Sequence, residues 1–211
     1  PNLTLSAQNV QGIFSGKINN WSDPSLASSN PDAVLPNLAI RIVGGPQQPV
    51  IDSLKGWFKK LGADFSPNLA KVSKLDDGAF LATMSEGDIA LTSYSNALYA
   101  FSTVAAVTVG STYAVADAAG MQHGADSSYK PAEGDLAAYG ATYPINIALC
   151  GEDNKLSRAI ARYLVRQDAQ GALGSAVIAP LGALKPPSGG FTARLRRLNA
   201  AGWACSAEGR M

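Results

Sequence analysis

The residues best suited to hold a ligand form the run Val43-Gly-Gly-Pro-Gln-Gln-Pro-Val50. A β-branched strand that enters a glycine turn and then a helix exposes backbone N–H groups. An anion or a neutral polar solute can be met there by those groups and by the positive end of the helix dipole. The candidate contacts are Gly44, Gly45, Gln47, Gln48 and Val50. Their donors are the N–H groups of Gln48, Val50 and Ile51 and the side-chain amides of Gln47 and Gln48, while Pro49 removes one N–H from the set.

Catalytic chemistry finds little support. Ser93 and Ser111 lack a Gly-x-Ser-x-Gly elbow. The single histidine, His123 in Met121-Gln-His-Gly-Ala125, has neither an evident acid partner for a triad nor a neighbouring metal ligand. Asp76-Asp77 and Glu86-Gly-Asp88 read as helix-end and turn carboxylates with no reason for a shifted pKa. The expectation is a protein that is not an enzyme, with no cofactor and no metal. Cys150 and Cys205 fit neither a zinc spacing nor a Cys-x-x-Cys redox pair. They read either as a disulfide, which goes with an oxidising compartment and contributes about 4 kcal/mol for a loop of that length, or as two unrelated buried thiols. Asn2-Leu-Thr4 and Asn20-Trp-Ser22 satisfy the glycosylation pattern. Trp21, Trp57 and Trp203 are residues that can stack on a sugar, although isolated tryptophans are more often core or interface anchors.

The elements that must position these residues alternate between strand and helix. Ser6 as N-cap, Val10, Ile13 and Phe14 on one face and Gly16 as the stop predict a short helix, after which Trp21 packs as the loop turns. Residues 23–36, rich in Ser, Asn, Asp and Pro, predict a loop. Leu38 to Val43 is a short strand. The next helix has Ile51, Leu54, Phe58 and Leu61 on its core face, Pro49 in its first turn and Gly62 at its end, with Lys55, Lys59 and Lys60 in water. A weaker helix over 77–85 carries Phe80, Leu81 and Met84 and leads into a buried strand from Asp88. A helical turn over 94–101 and a strand over 104–109 follow. The Gly-, Ala- and Ser-rich stretch 110–140 shows no clear period. Tyr143 to Leu149 predicts a strand. Asn154 caps an amphipathic helix in which Leu156, Ile160, Tyr163 and Leu164 share a face. A helical stretch over 168–176, a Pro/Gly linker over 185–190 and a last helix over 191–199 complete an α/β layer pattern.

The chain has 211 residues, 46% hydrophobic and 16% charged, with seventeen basic and sixteen acidic side chains and a net charge of +1. That length buries one good core or two small ones. The balance leaves no nucleic-acid footprint, and the one basic cluster, Arg194-Leu-Arg-Arg197, reads as a solvated helix face. No apolar run is long enough to span a bilayer; the sequence from Pro1 shows no charged-then-apolar leader, which is compatible with a signal peptide or preceding segment having been removed.

Read in order, Leu5 through Trp21 with its Ile-Phe-Ser-Gly-Lys-Ile-Asn-Asn-Trp core, Asn30-Pro31, Leu35-Pro36, Ile40 to Val43, Glu86 to Tyr94 and Tyr143-Pro-Ile145 resemble the phosphate-binding branch of the type II periplasmic solute-binding proteins. The resemblance covers nearly the whole chain and begins at that family's second lobe. The ending Cys205-Ser-Ala-Glu-Gly-Arg210 is similar to the DING-type subgroup, in which the corresponding cysteines are bridged. The resemblance implies an α/β, type II periplasmic-binding-protein-like fold with one complete lobe and part of the other. The implied domains are a second-lobe-like domain over 1–142, the return strand and helices of the first lobe over 143–187, and a C-terminal helix and tail over 188–211. It also implies noncatalytic capture of a small anion or polar solute in the periplasm or at the cell surface, with an ABC transporter behind it. A missing lobe or partner chain would complete the cleft.

The loop departs from the family. Aligned on Trp57-Phe58, Gly44 stands where the ligand arginine would be, Pro46 where the aspartate would be, and Gln48 and Val50 where a serine and a threonine would be. Charge-assisted bonds are the strong ones for a dehydrated oxyanion, so the implied site is degenerate for phosphate. The alternative is an interaction or structural protein of the cell surface that kept the fold and lost phosphate binding.

Overall fold

A computed structural model describes residues 3–44, 46–69, 79–125, 129–143, 155–164, 166, 168, 169 and 172. The chain divides into two compact units, Pro1–Tyr143 and Pro144–Met211. The fold is mixed α/β, with two small sheets among the described residues.

The first unit opens with β1 (Thr4–Leu5) and α1 (Ala7–Ser15). Ser6 caps α1 in a reciprocal box. Its hydroxyl accepts from the Asn9 N–H at 3.0 Å, and the Asn9 side chain accepts from the Ser6 N–H at 3.0 Å. Gly16 ends the helix at φ 81°, a left-handed cap that glycine adopts without a Cβ clash. The residues expected as a loop over 23–36 contain a helix, α2 (Pro24–Ser28), because Asp23 accepts from the Ser25 N–H and Pro24 sits in the first turn. Buried Asn30 latches α2 to β1. It exchanges bonds with Thr4 at 2.8 Å and donates to the Leu26 carbonyl at 2.9 Å.

β2 (Arg41–Val43) runs parallel to β3 (Asp88–Ala90), pairing Arg41 with Asp88 and Val43 with Ala90. Between them lies α3 (Gln48–Lys60), whose Leu54, Trp57 and Phe58 are buried while Lys55, Lys59 and Lys60 face water. The expected helix over 77–85 is a 3-10 turn, Ala79–Thr83. Asp76 and Asp77 lie outside the described residues. β3 is half-buried along its length rather than buried, which suits a strand in a two-stranded sheet.

α4 (Tyr94–Tyr99) leads to β4 (Ala106–Val109), which pairs parallel with β1 and antiparallel with β5 (Thr112–Ala114) across Gly110. α4 ends with the Phe101 N–H on the Leu98 carbonyl and the Ser102 N–H on the Ala97 carbonyl. That double bond pattern forces left-handed backbone at Phe101, φ 53°, where glycine is usual. The stretch with no sequence period contains both β5 and α5 (Ala118–Ala125). A Cβ at Gly120 or Gly124 would meet the carbonyls of Val115 and Tyr139, so these glycines let α5 lie directly on backbone. One core joins the unit. Phe14 of α1, Phe58 of α3 and Phe65 meet edge to face, and Trp57 packs on Tyr139 at 4.8 Å between ring centroids.

In the second unit the described helix is α6 (Lys155–Leu164). Its Leu156, Ile160 and Tyr163 are 67%, 39% and 51% exposed. Cys150, Cys205, Trp203, Arg194 to Arg197, the strand expected over 143–149, the Asn154 cap, and the expected helices and linker from 168 onward lie outside the described residues, apart from Tyr143 and isolated positions at 168, 169 and 172.

Candidate functional site

The loop between β2 and α3 is built from the strand upward. β2 is fixed in register by a fork between Arg41 and Asp88. Nε donates to Oδ1 at 2.7 Å and an η-nitrogen donates to Oδ2 at 2.6 Å. The Ser85 N–H adds a third bond to Oδ2 at 2.8 Å. The Asp88 side chain is 2% exposed although that of Arg41 is 63% exposed. Hydrogen bonds from Arg41 therefore hold the Asp88 carboxyl below its ordinary range against the opposing effect of burial, and push the guanidinium up. The unshifted pKa expected of Glu86-Gly-Asp88 is thus corrected at Asp88. Gly87 is at φ 89°, and a Cβ there would stand 3.0 Å from the Ala39 carbonyl. The Trp21 indole donates to the Gly87 carbonyl at 3.0 Å.

β2 hands the chain to Gly44, buried and left-handed at φ 79°. Gly45 is outside the described residues. Gln47 is the N-cap of α3, extended at φ −67° and ψ 147°, and its side chain makes no capping bond. The donors expected here are only partly available. The N–H groups of Val50 and Ile51 both point at the Gln47 carbonyl, at 3.0 and 3.3 Å, and the Val50 side chain is buried. Gln48 Nε2 donates to Asp52 Oδ1 at 2.8 Å. The Gln47 and Gln48 N–H groups remain as backbone donors that no bond of α3 uses, with the exposed Gln47 amide beside them. This terminus can accept one small anion or a polar carbonyl, with the Asp52 carboxylate nearby.

No family model matches this sequence, and no curated protein matches it.

The other candidates have structural occupations. Ser93 caps α4, accepting from the Asn96 N–H at 3.3 Å. His123 stacks on Tyr129 at 3.8 Å with the rings 7° apart, and the Tyr129 hydroxyl donates to the Leu136 carbonyl. Burial pushes the Tyr139 hydroxyl up to about 12. Trp21 and Trp57 are 8% and 6% exposed, so neither ring offers a face to a sugar. The Asn20 amide of the second sequon donates to Asn37 and accepts from Ser22. Among the described residues no group of three or more His, Cys, Asp or Glu could hold a metal ion, and no helix is long and apolar enough to cross a membrane. A shallow cleft of about 210 Å³ lies between Leu3, Trp21, Leu35, Pro36, Gly87 and Asp88. Its lining is mostly apolar, and the Asp88 carboxylate beside it is already paired with Arg41.

Besides β5 and α5, the Arg41–Asp88 fork and α2 were missed from the sequence. The Arg41–Asp88 fork depends on parallel register between strands far apart in the chain, and no local pattern announces it. α2 was signalled by Asp23-Pro24, a cap followed by a first-turn proline, within a stretch otherwise read as loop.

Proposed function

We propose that this chain is a noncatalytic, extracytoplasmic solute-binding module of the phosphate-binding-protein type, with a type II periplasmic-binding-like fold and a degenerate anion loop. The observation that carries the reading is the exposed, uncapped N-terminus of α3 directly after β2 and Gly44. Gly44, Gly45, Gln47 and Gln48 form the proposed contact set, with Val50 shaping the turn from the core side. The ligand is a small anion or polar solute held more weakly than phosphate is held where an arginine contributes. A missing lobe or partner chain closes the cleft over it. The Cys150–Cys205 bridge and a periplasmic or cell-surface location belong to the same proposal.

A second reading, an interaction or structural protein of the cell surface that kept the fold, is favoured by the bond from Gln48 to Asp52. That bond occupies a side-chain donor and places a carboxylate where an anion would be repelled. Calorimetric titration with phosphate and with sulfate at low salt separates the two. Heat with a dissociation constant tighter than about 1 mM supports solute capture. No heat at that concentration moves the assignment to the second reading.

A further inference from the structure

All but one of the described glycines have a reason within the chain. Each either takes a left-handed φ, as Gly62 does at 77° after α3, or lies where a Cβ would strike a neighbour, as at Gly140 against the Trp57 ring. Gly56 does neither. It sits inside α3, exposed, with helical backbone and nothing within 4 Å of the place a Cβ would take. Glycine is the poorest helix former after proline, so it weakens α3 here with no compensation inside the molecule. A surface outside the molecule, coming closer to the helix than a side chain would allow, accounts for it.

The side chains around Gly56 determine what that surface carries. Lys55 precedes it, and Lys59 and Lys60 follow one turn on, all exposed. Among the described residues no carboxylate pairs with any of the three. The helix dipole gives a reason for Lys59 and Lys60 in the last turn, but Lys55 lies a turn earlier. We propose that this face of α3 docks an acidic α-helix of a partner protein, which crosses α3 at Gly56. A glycine notch lets two helices approach closer than the usual separation of about 8–10 Å between axes. Lys55 and Lys59 are four residues apart, the spacing at which a facing helix presents two carboxylates on one stripe. A flexible polyanion or a lipid surface would meet the lysines without using the notch. Toward the start of α3 the exposed Asp52 carboxylate repels such a partner, so the contact keeps to the half of α3 away from the loop after β2 and is independent of solute capture there. Exposed ion pairs around one close contact make the complex weak and sensitive to salt.

Fluorescence anisotropy tests this, with a labelled, end-blocked helical peptide that carries glutamates four residues apart around a central alanine, titrated with the full chain at low salt. A dissociation constant of about 100 μM or tighter is expected, weakening about fivefold or more as salt rises to about 0.3 M. Gly56→Ala fills the notch with the best helix former, so it raises the thermal midpoint while weakening the peptide about tenfold. Opposite signs for folding and binding exclude a misfolded variant as the cause. Lys55→Gln keeps the helix and weakens the peptide about threefold or more. An affinity unchanged in Gly56→Ala overturns the proposal. So does poly-glutamate, unordered at neutral pH, binding as tightly per glutamate as the helical peptide, and so does no binding at about 1 mM.

Discussion

At the start of α1, Ser6 and Asn9 bond each other reciprocally at 3.0 Å, so side chains of the helix end satisfy the Ser6 and Asn9 N–H groups before any ligand could arrive. At the start of α3, Gln47 caps nothing, Pro49 has no N–H, and the amide of Gln48 turns to Asp52. Both helices are anchored by one aromatic cluster, through Phe14 and Phe58 packed on Phe65. Packing therefore does not separate the two ends; the capping does. A terminus closed by its own side chains serves stability alone. One left open forgoes about 1 kcal/mol of capping and keeps donors for something else.

The largest expected effect comes from the strand that carries the open end. Asp88→Asn removes the anionic acceptor of two Arg41 donors and of the Ser85 N–H, at a cost of about 1–3 kcal/mol in denaturant unfolding. Amide exchange should rise around residues 41–48 while α1 keeps its protection. The pH dependence follows from the lowered pKa of Asp88. Its contribution is complete above the unfolded carboxylate value of about 3.9 and is lost as pH falls through the lower folded value. Wild type and variant therefore converge in stability in strong acid, and differ most near neutrality. Loosening at α1 equal to that at α3 would mean the two ends are not mechanically separate.

Much of this contrast was legible in the sequence, because caps and stops are local signals. Ser6, the Val10, Ile13 and Phe14 face and Gly16 define α1 within one short window, and Pro49, Leu54, Phe58 and Gly62 do so for α3. What stayed hidden is nonlocal or masked by composition. α5 carries no strong apolar stripe because Gly120 and Gly124 are there to admit the carbonyls of Val115 and Tyr139, a packing reason that periodicity cannot express. The passage from β2 through a glycine turn into α3 was legible, yet the donors free at its end were overstated. Whether Gln48 reaches outward or bends to Asp52 is a rotamer choice, and the run of residues does not fix it.

Ser6→Ala sharpens the comparison from the closed side. It leaves the Asn9 N–H without its hydroxyl acceptor and should lower stability by about 1 kcal/mol, with any heat of phosphate or sulfate binding unchanged. A change in ligand binding would break the division between a structural terminus and a binding one.

The smallest effect tests the open side most directly. Gln47 already has the extended backbone of a capping residue, so the hydroxyl introduced by Gln47→Ser can take over the Val50 N–H, which now bonds the backbone carbonyl of Gln47 at 3.0 Å. Thermal unfolding should show a gain of about 0.5–1 kcal/mol, the opposite sign to Ser6→Ala. If the open terminus holds a solute, the same variant should weaken phosphate or sulfate binding, because it exchanges a long side-chain amide donor for a short hydroxyl turned into the helix. Higher stability with weaker binding would identify the missing cap as a property of the site. Higher stability with unchanged binding would make it an ordinary imperfection of α3, and would place any solute elsewhere.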